Sequence, residues 1–277
     1  MPTEMKGLFA GKKGVITGVA NGDSIAWAIA KLIMEQGGQC GFTHLPDRPD
    51  DERQRNQRRV RLLTEKEENA RFLIPMNVQK EEDISAAVKR AAKEFGKVDF
   101  LLHSMAFADR EDLKRDTVDT SRAGFLLAMD VSAYSLLALA GAFKDIMSER
   151  SAICAMTYYG GEKVVAGYNV MGVCKAALDA CVRYAAYELG PRGIRVNAIS
   201  AGPVRTLAGR AAGVDEMLTL YGEMAPMARN ITHDEVGRAG AYLLSDLSDG
   251  VTGDILHLDG GYHIMGSPGR LLDRFRK

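Results

Sequence analysis

Residues 14–38 read GVITGVANGDSIAWAIAKLIMEQGG. Val15, Ile16 and Thr17 end a short apolar run with the character of a strand. From Ser24 onward apolar residues recur at helical spacing until Gly37 and Gly38 stop them. Between the two lies TGVANGDS, residues 17–24. A glycine-rich turn from strand to helix lets the backbone approach a pyrophosphate, and the helix end offers it free N–H groups and a positive dipole. Gly18 and Gly22 stand where such a turn needs them, whereas the expected third glycine is Ser24, which can N-cap the helix or hydrogen-bond a phosphate. The turn alone is also compatible with an ordinary strand-to-helix connection, so the rest of the chain has to decide.

Working outward, CGFTH (40–44), RFLIPMNV (71–78) and VDFLLHS (98–104) read as further strands, and EEDISAAVKRAAKEFG (81–96) as an amphipathic helix stopped by Gly96. AICAMT (152–157), IRVNAI (194–199) and DILHLDGG (254–261) complete seven. Apolar strands alternating with helices predict an α/β fold, a doubly wound parallel seven-stranded sheet of Rossmann type, in one domain over residues 1–277. Ligands in such sheets bind at the carboxyl ends of strands, which here carry Asn77, Val78, Ser104, Met105 and Ala106. The end of the second strand usually bears an acid for the adenosine ribose or a base for a 2′-phosphate. His44, Leu45 and Pro46 are neither, and Asp47 and Arg48 come late, which favours NADH while leaving NADPH possible.

Composition narrows the function classes. Among 277 residues, 36 Lys and Arg balance 36 Asp and Glu, which argues against nucleic acid as the main partner. Cys40, Cys154, Cys174 and Cys181 show no C-x-x-C spacing, and no His cluster suggests zinc or another metal; free thiols in a reducing compartment are expected. The N-terminus lacks the apolar core of a signal peptide, so a cytoplasmic location is expected. The apolar run LLALAGAF (136–143) is far short of the ~20 residues of a membrane span, and no membrane partner is expected.

Three further segments carry expectations. Residues 47–71 are dense in mixed charge and read as a solvated surface helix whose apolar side is Val60, Leu62 and Leu63. Residues 121–147 are apolar nearly all round, which points to burial against the core or another subunit. Residues 207–226 interrupt regular structure as a mobile substrate loop would, and Thr232 with Glu235 forms a capping box for the helix that follows.

The chemistry-bearing stretch is YYGGEKVVAGYNVMGVCK, residues 158–175. Tyr158 and Tyr168 are ten positions apart, and Lys175 follows seven positions later. A phenol can donate to a carbonyl oxygen on which negative charge builds up; with an ordinary pKa near ~10 it needs a nearby cation at neutral pH, and lysine can be that cation. On a helical wheel Tyr168 and Lys175 fall within roughly 20° of each other, two turns apart, at the border of the stripe Val170, Cys174, Ala177, Leu178, Cys181, Val182, Ala185 and Leu189. The geometry shows that the pair can share a cleft; two flank residues packing their stems would produce the same pattern.

With these pieces assembled, the chain resembles the bacterial enoyl-acyl-carrier-protein reductases of the short-chain dehydrogenase/reductase superfamily, over roughly residues 8–266. The matching segments are GVANGDSIAWAIA, HSMAFA, YNVMGVCKAAL, RVNAISAGPVRTLA and GDILHLDGGY. Ketone- and alcohol-handling members carry Tyr-x3-Lys with an upstream serine; here position 172 is Gly, the upstream place is Ala155, and the spacing is Tyr-x6-Lys. The resemblance implies hydride transfer from NADH or NADPH to the β-carbon of a trans-2-enoyl thioester, borne by acyl carrier protein or CoA, by a homotetramer. It implies that Tyr168 stabilises the enolate, that Lys175 binds the nicotinamide ribose, and that Tyr158 lines the acyl pocket. Gly18, Ala20, Ser24, Ile25, Leu45, Asn77, Val78, Ser104, Ala106, Val204 and Thr206 fall on the cofactor side by the same resemblance; Phe107, Met171 and Met217 join Tyr158 and Tyr168 on the substrate side. Asn77 stands where many members have Asp, which weakens the adenine site. For carrier docking the loop offers Arg210 but also Asp215 and Glu216. A 3-oxoacyl thioester reductase, and a cofactor-binding regulator without turnover, are the alternatives.

Overall fold

Every strand pairing is parallel, and the order across the sheet is β3-β2-β1-β4-β5-β6-β7. The strands are β1 Lys13–Ile16, β2 Gln39–His44, β3 Ala70–Pro75, β4 Val98–His103, β5 Met147–Thr157, β6 Ile194–Ala201 and β7 Ile255–Leu258. The computed structural model describes residues 7–206 and 214–275. The sequence runs outward from β1 to β3 and then crosses back to β4, so the order reverses between β1 and β4. A crevice opens at the carboxyl end of such a reversal, and there ligands bind in open α/β sheets. The expected doubly wound sheet is the one observed.

Strand residues alternate between the two faces, as a period of two requires. Ile16, Phe100, Leu102 and Cys154 point into one core with Ala26, Ile29 and Ile33 of helix α1 (Ile25–Glu35) and with Val236 and Leu244 of the helix His233–Leu244. Val15, Leu101 and Ile153 point into the other, under helices α3 (Glu81–Phe95), α6 (Ser135–Phe143) and α7 (Asn169–Leu189). β1 can approach β4 closely because Gly14 has no side chain; a Cβ there would lie 2.2 Å from the Phe100 ring.

The segment dense in charge becomes helix α2 (Arg55–Thr64), with Val60 buried but Leu62 exposed, so its apolar side is narrower than the pattern suggests. The apolar run at 121–147 forms helix α5 (Arg122–Met129), a π-helical turn at Asp130–Tyr134 and then α6. Taken together, Arg122–Phe143 is long and apolar enough to cross a membrane by length and composition, which corrects the shorter run read from sequence. Its window of highest hydropathy is 44% buried in the fold, and α6 packs on α3 and α7. Val214–Met224 is a helix, not a break in regular structure, while residues 207–213, Arg210 among them, lie outside the described residues. Thr232 and Glu235 do form the reciprocal capping box. All four cysteines are free, and burial pushes the Cys154 thiol up to about 12.

Candidate active site at the carboxyl edge of the sheet

The turn after β1 is shaped by what it must pass. Thr17 donates its hydroxyl to the Leu102 carbonyl at 2.7 Å, fastening the end of β1 to β4. Gly18 then takes φ +84°, and a Cβ there would sit 1.8 Å from the Ser104 carbonyl oxygen, so only glycine fits. Gly22 is different: its nearest neighbour would be Leu63 at an ordinary 3.6 Å, and the protein itself does not demand glycine there. Ser24 occupies the N-cap position of α1 without capping it. Its hydroxyl oxygen instead accepts the backbone N–H groups of Ala20 at 3.0 Å and Asn21 at 3.1 Å, closing the turn on itself. The first N–H groups of α1 therefore have no side-chain cap and remain available to an anion.

The other residues expected on the cofactor side differ in burial. Ile25 and Val78 are half-buried against the two cores, and Val204 is buried beside β6. Ser104 is half-buried and Ala106 exposed. Leu45 is 63% exposed at the end of β2. Asp47 does not wait there for a ribose: its carboxylate accepts the N–H groups of Asn56 at 2.6 Å and Gln57 at 3.1 Å at the start of α2. Asn77 accepts from the Gln79 N–H through its side chain and donates its own N–H to Asp83, so its side-chain oxygen is already engaged. Thr206 is half-buried at the edge of the described residues. A β1–β4 crevice, a glycine that a Cβ would block and an uncapped helix end together fit a dinucleotide.

Opposite this crevice, Tyr168 ends the turn before α7 and Lys175 follows two turns inside the helix. Lys175 is only 5% exposed, and its ammonium donates to the Met156 carbonyl at 2.8 Å. Burial lowers its pKa to about 8, against the opposing pull of the Asp179 carboxylate one turn further on. Burial likewise raises the phenols, Tyr168 above its ordinary range and Tyr158 to about 12. Burial is the leading cause of both shifts, and both phenols remain protonated donors at neutral pH. Asp179 is itself buried, with one carboxylate oxygen unpartnered, and its pKa is raised chiefly by that burial.

Three glycines let the turn after β5 lie against α7. A Cβ on Gly160 would meet the Tyr168 ring at 2.5 Å, one on Gly161 the Ala176 nitrogen at 2.8 Å, and one on Gly172 the Gly160 carbonyl at 2.9 Å. The Tyr158 and Tyr168 rings consequently meet edge to face, with centroids 4.8 Å apart. On the substrate side, Met217 packs on this tyrosine cluster, while Phe107 is largely exposed and its backbone is held by the Ser132 hydroxyl, 3.0 Å from its nitrogen. Met171 is buried in a small core with Ala108, Ala128, Val170 and Cys174, so it supports the site from behind.

Sequence reading missed most of the aromatic wall. Tyr221 hydrogen-bonds Tyr158, hydroxyl to hydroxyl, at 2.7 Å and stacks on Tyr262 at 3.7 Å. Tyr262 is placed by the buried Asp259, which accepts the N–H groups of Gly261 and His263, each at 2.9 Å. Tyr159 closes the wall edge-on to Tyr262 and donates to the His263 carbonyl at 3.1 Å. These residues come from three separated segments, so no spacing could have joined them. His103 was also missed: it is fully buried, burial and the Lys175 charge lower its pKa to about 3, and it is neutral beside Ser135.

A family model described as Enoyl-(Acyl carrier protein) reductase matches residues 18–263. The chain belongs to the enoyl-(acyl carrier protein) reductase family. It is 47% identical to the NADH-dependent enoyl-[acyl-carrier-protein] reductase FabI of Nostoc sp., over 92% of this chain and 98% of that relative. It is 45% identical to the corresponding Bacillus cereus protein, over 94% and 99%. Among solved structures it is similar to the Anaplasma phagocytophilum enoyl reductase in complex with NAD, with TM-score 0.88, 44% identity and coverage of 95% and 97%. A Bacillus cereus enoyl reductase holding NADP+ and an indole naphthyridinone matches at TM-score 0.88 and 45% identity, over 94% and 99%. In this enoyl reductase the Tyr-x6-Lys spacing has a structural meaning, for the tyrosine precedes the helix and the lysine, two turns inside it, reaches the Met156 carbonyl near the end of β5.

Proposed function

We propose that the chain reduces the carbon–carbon double bond of trans-2-enoyl thioesters on acyl carrier protein in fatty acid elongation, with NADH as reductant. The observation that carries this reading is that two protonated phenols and a buried ammonium gather at the carboxyl end of β5, in a sheet whose strand order reverses between β1 and β4. Gly18, Ala20, Ser24 and Ile25 would hold the pyrophosphate at the end of α1, Leu45, Asn77 and Val78 the adenosine end, and Ser104, Ala106, Val204 and Thr206 the rest of the cofactor. Lys175 would hold the nicotinamide ribose hydroxyls. When bound, NADH supplies the hydride.

The hydride adds to the β-carbon, the π electrons move toward the thioester carbonyl, and negative charge gathers on that oxygen. Tyr168 donates a hydrogen bond to it, and a donor placed where charge develops lowers the barrier. Protonation of the α-carbon completes the addition of one hydride and one proton. Tyr158, edge-on to Tyr168, lines the acyl side with Phe107 and Met217, and Met171 backs them. Carbonyl reduction is disfavoured because the buried Ala155 leaves no hydroxyl where the ketone-reducing relatives carry one.

Leu126, Phe125 and Tyr134 on the apolar helical run, with Tyr184 and Tyr187 on α7, expose large apolar surface, which fits a homotetramer. Free cysteines fit a reducing cytoplasm. Enoyl and 3-oxoacyl thioesters, on carrier protein and on CoA, assayed with NADH and NADPH, test the reading. Enoyl turnover with NADH is expected; acetoacetyl thioester reduction without enoyl turnover would overturn it.

A further inference from the structure

Tyr221 lies on the helix Val214–Met224, distant in sequence from the two tyrosines it meets, Tyr158 and Tyr262. It is 4% exposed, and the hydrogen-bond partner of its hydroxyl is that of Tyr158 at 2.7 Å. Stacking on Tyr262 fixes the Tyr221 ring from the other side. A phenol has one proton to give and lone pairs to receive. In a phenol–phenol pair the hydroxyl that accepts keeps its own proton for a third group. Burial raises both phenols, so each keeps its proton at neutral pH. Tyr158 is the one whose ring meets Tyr168, so its proton is the one a carbonyl beside Tyr168 can receive, and Tyr221 is then the donor within the pair.

We propose that Tyr221 is a positioning residue for thioester reduction: its phenol donates to the Tyr158 oxygen, holds that ring edge-on to Tyr168, and leaves the Tyr158 proton free for the substrate carbonyl. A donor that itself receives a hydrogen bond is a better donor, because the chain of bonds polarises in one direction. The inference rests on the reading of Tyr158 and Tyr168 beside the thioester.

A double-mutant cycle on the full-length enzyme tests it, with kcat and KM for an enoyl thioester measured on Tyr221→Phe, Tyr158→Phe and the double variant. Loss of one neutral hydrogen bond predicts a fall in kcat of about 2- to 10-fold for Tyr221→Phe, with KM changed less than about twofold. The double variant should be no slower than Tyr158→Phe alone, because Tyr221 acts only through Tyr158. Independent, multiplying losses in the double variant would overturn the proposal, as would a full rate for Tyr221→Phe when Tyr158→Phe is slow. A full rate for Tyr158→Phe would instead remove the assigned role of Tyr158 itself. NADH affinity and melting temperature separate these effects from misfolding. A crystal structure of the unmodified enzyme with NADH needs no variant, and it must keep the two hydroxyls within about 3.2 Å; a wider gap with the helix seated refutes the proposal.

Discussion

A Lys175→Met variant is expected to be more stable than the parent chain at pH 7 and to lose at least about 100-fold in kcat. The ammonium of Lys175 is 5% exposed, and burial brings its pKa from 10.5 to about 8. At neutral pH the folded chain therefore keeps a charge that water would hold better, at a cost of about 3 kcal/mol. Methionine fills a similar volume without that cost. Against it stands the Met156 carbonyl, which now accepts from Lys175 and would lose its donor, at about 1 to 2 kcal/mol. The net gain at pH 7 is about 1 to 2 kcal/mol.

The pH dependence makes this test sharp. The folded pKa lies below the unfolded one, so between about pH 8 and 10.5 the unfolded chain holds a proton that the folded chain has shed. Stability of the parent rises with pH across that window, while below it the cost is fully present and above it the cost is gone. The variant lacks this rise, and tyrosines, common to both chains, cancel in the difference. Urea denaturation of both proteins without NADH, at fixed protein concentration from pH 7 to 10.5, should show the variant ahead at pH 7 and behind at pH 10.5. A variant less stable at pH 7 by a margin that does not change with pH would refute the reasoning.

Gly18→Ala places a methyl 1.8 Å from the Ser104 carbonyl at φ +84°, so NADH affinity measured by fluorescence titration should fall by more than tenfold. Gly160→Ala pushes on the Tyr168 ring from 2.5 Å; kcat should drop while NADH affinity stays, a split that steady-state kinetics and titration read separately. Leu126, 61% exposed on α5, should sit in a subunit contact, so Leu126→Glu should shift light scattering from about four times 30.1 kDa to a smaller species.

The sheet was legible because its signals are local. Val15 and Ile16 alternate, Gly96 stops α3 at φ +74°, and Thr232 with Glu235 makes its capping box within four residues. The helical period also put Lys175 within α7, a seven-residue step of nearly two whole turns beyond Tyr168 at its N-cap. What failed depends on contacts made after folding. Gly22 and Gly18 look alike in sequence, yet only Gly18 passes under the Ser104 carbonyl. Asp47 comes too late in the sequence to be read as a cofactor ligand, and only the fold shows that its carboxylate holds the start of α2. Tyr221 and Tyr262 carry no local mark at all, because their meaning is the stack they make with each other and the bond one makes to Tyr158.

The ionisation states decide how the two tyrosines can act. A phenol used as a base or as a phenolate would need its pKa drawn down toward neutrality, and only a cation close to its oxygen could do that. Here the cation is spent elsewhere. Lys175 donates to Met156 and its charge depresses His103, while burial holds Tyr168 above its ordinary range. Phenols that are hard to ionise still donate, and a donor is what an enolate oxygen needs. Carbon–carbon reduction demands no more than this at the carbonyl, because the hydride goes to the β-carbon and the oxygen need only bear charge for a time. Carbonyl reduction would require full proton delivery to that oxygen, and the buried Ala155 leaves no hydroxyl partner there to help provide it.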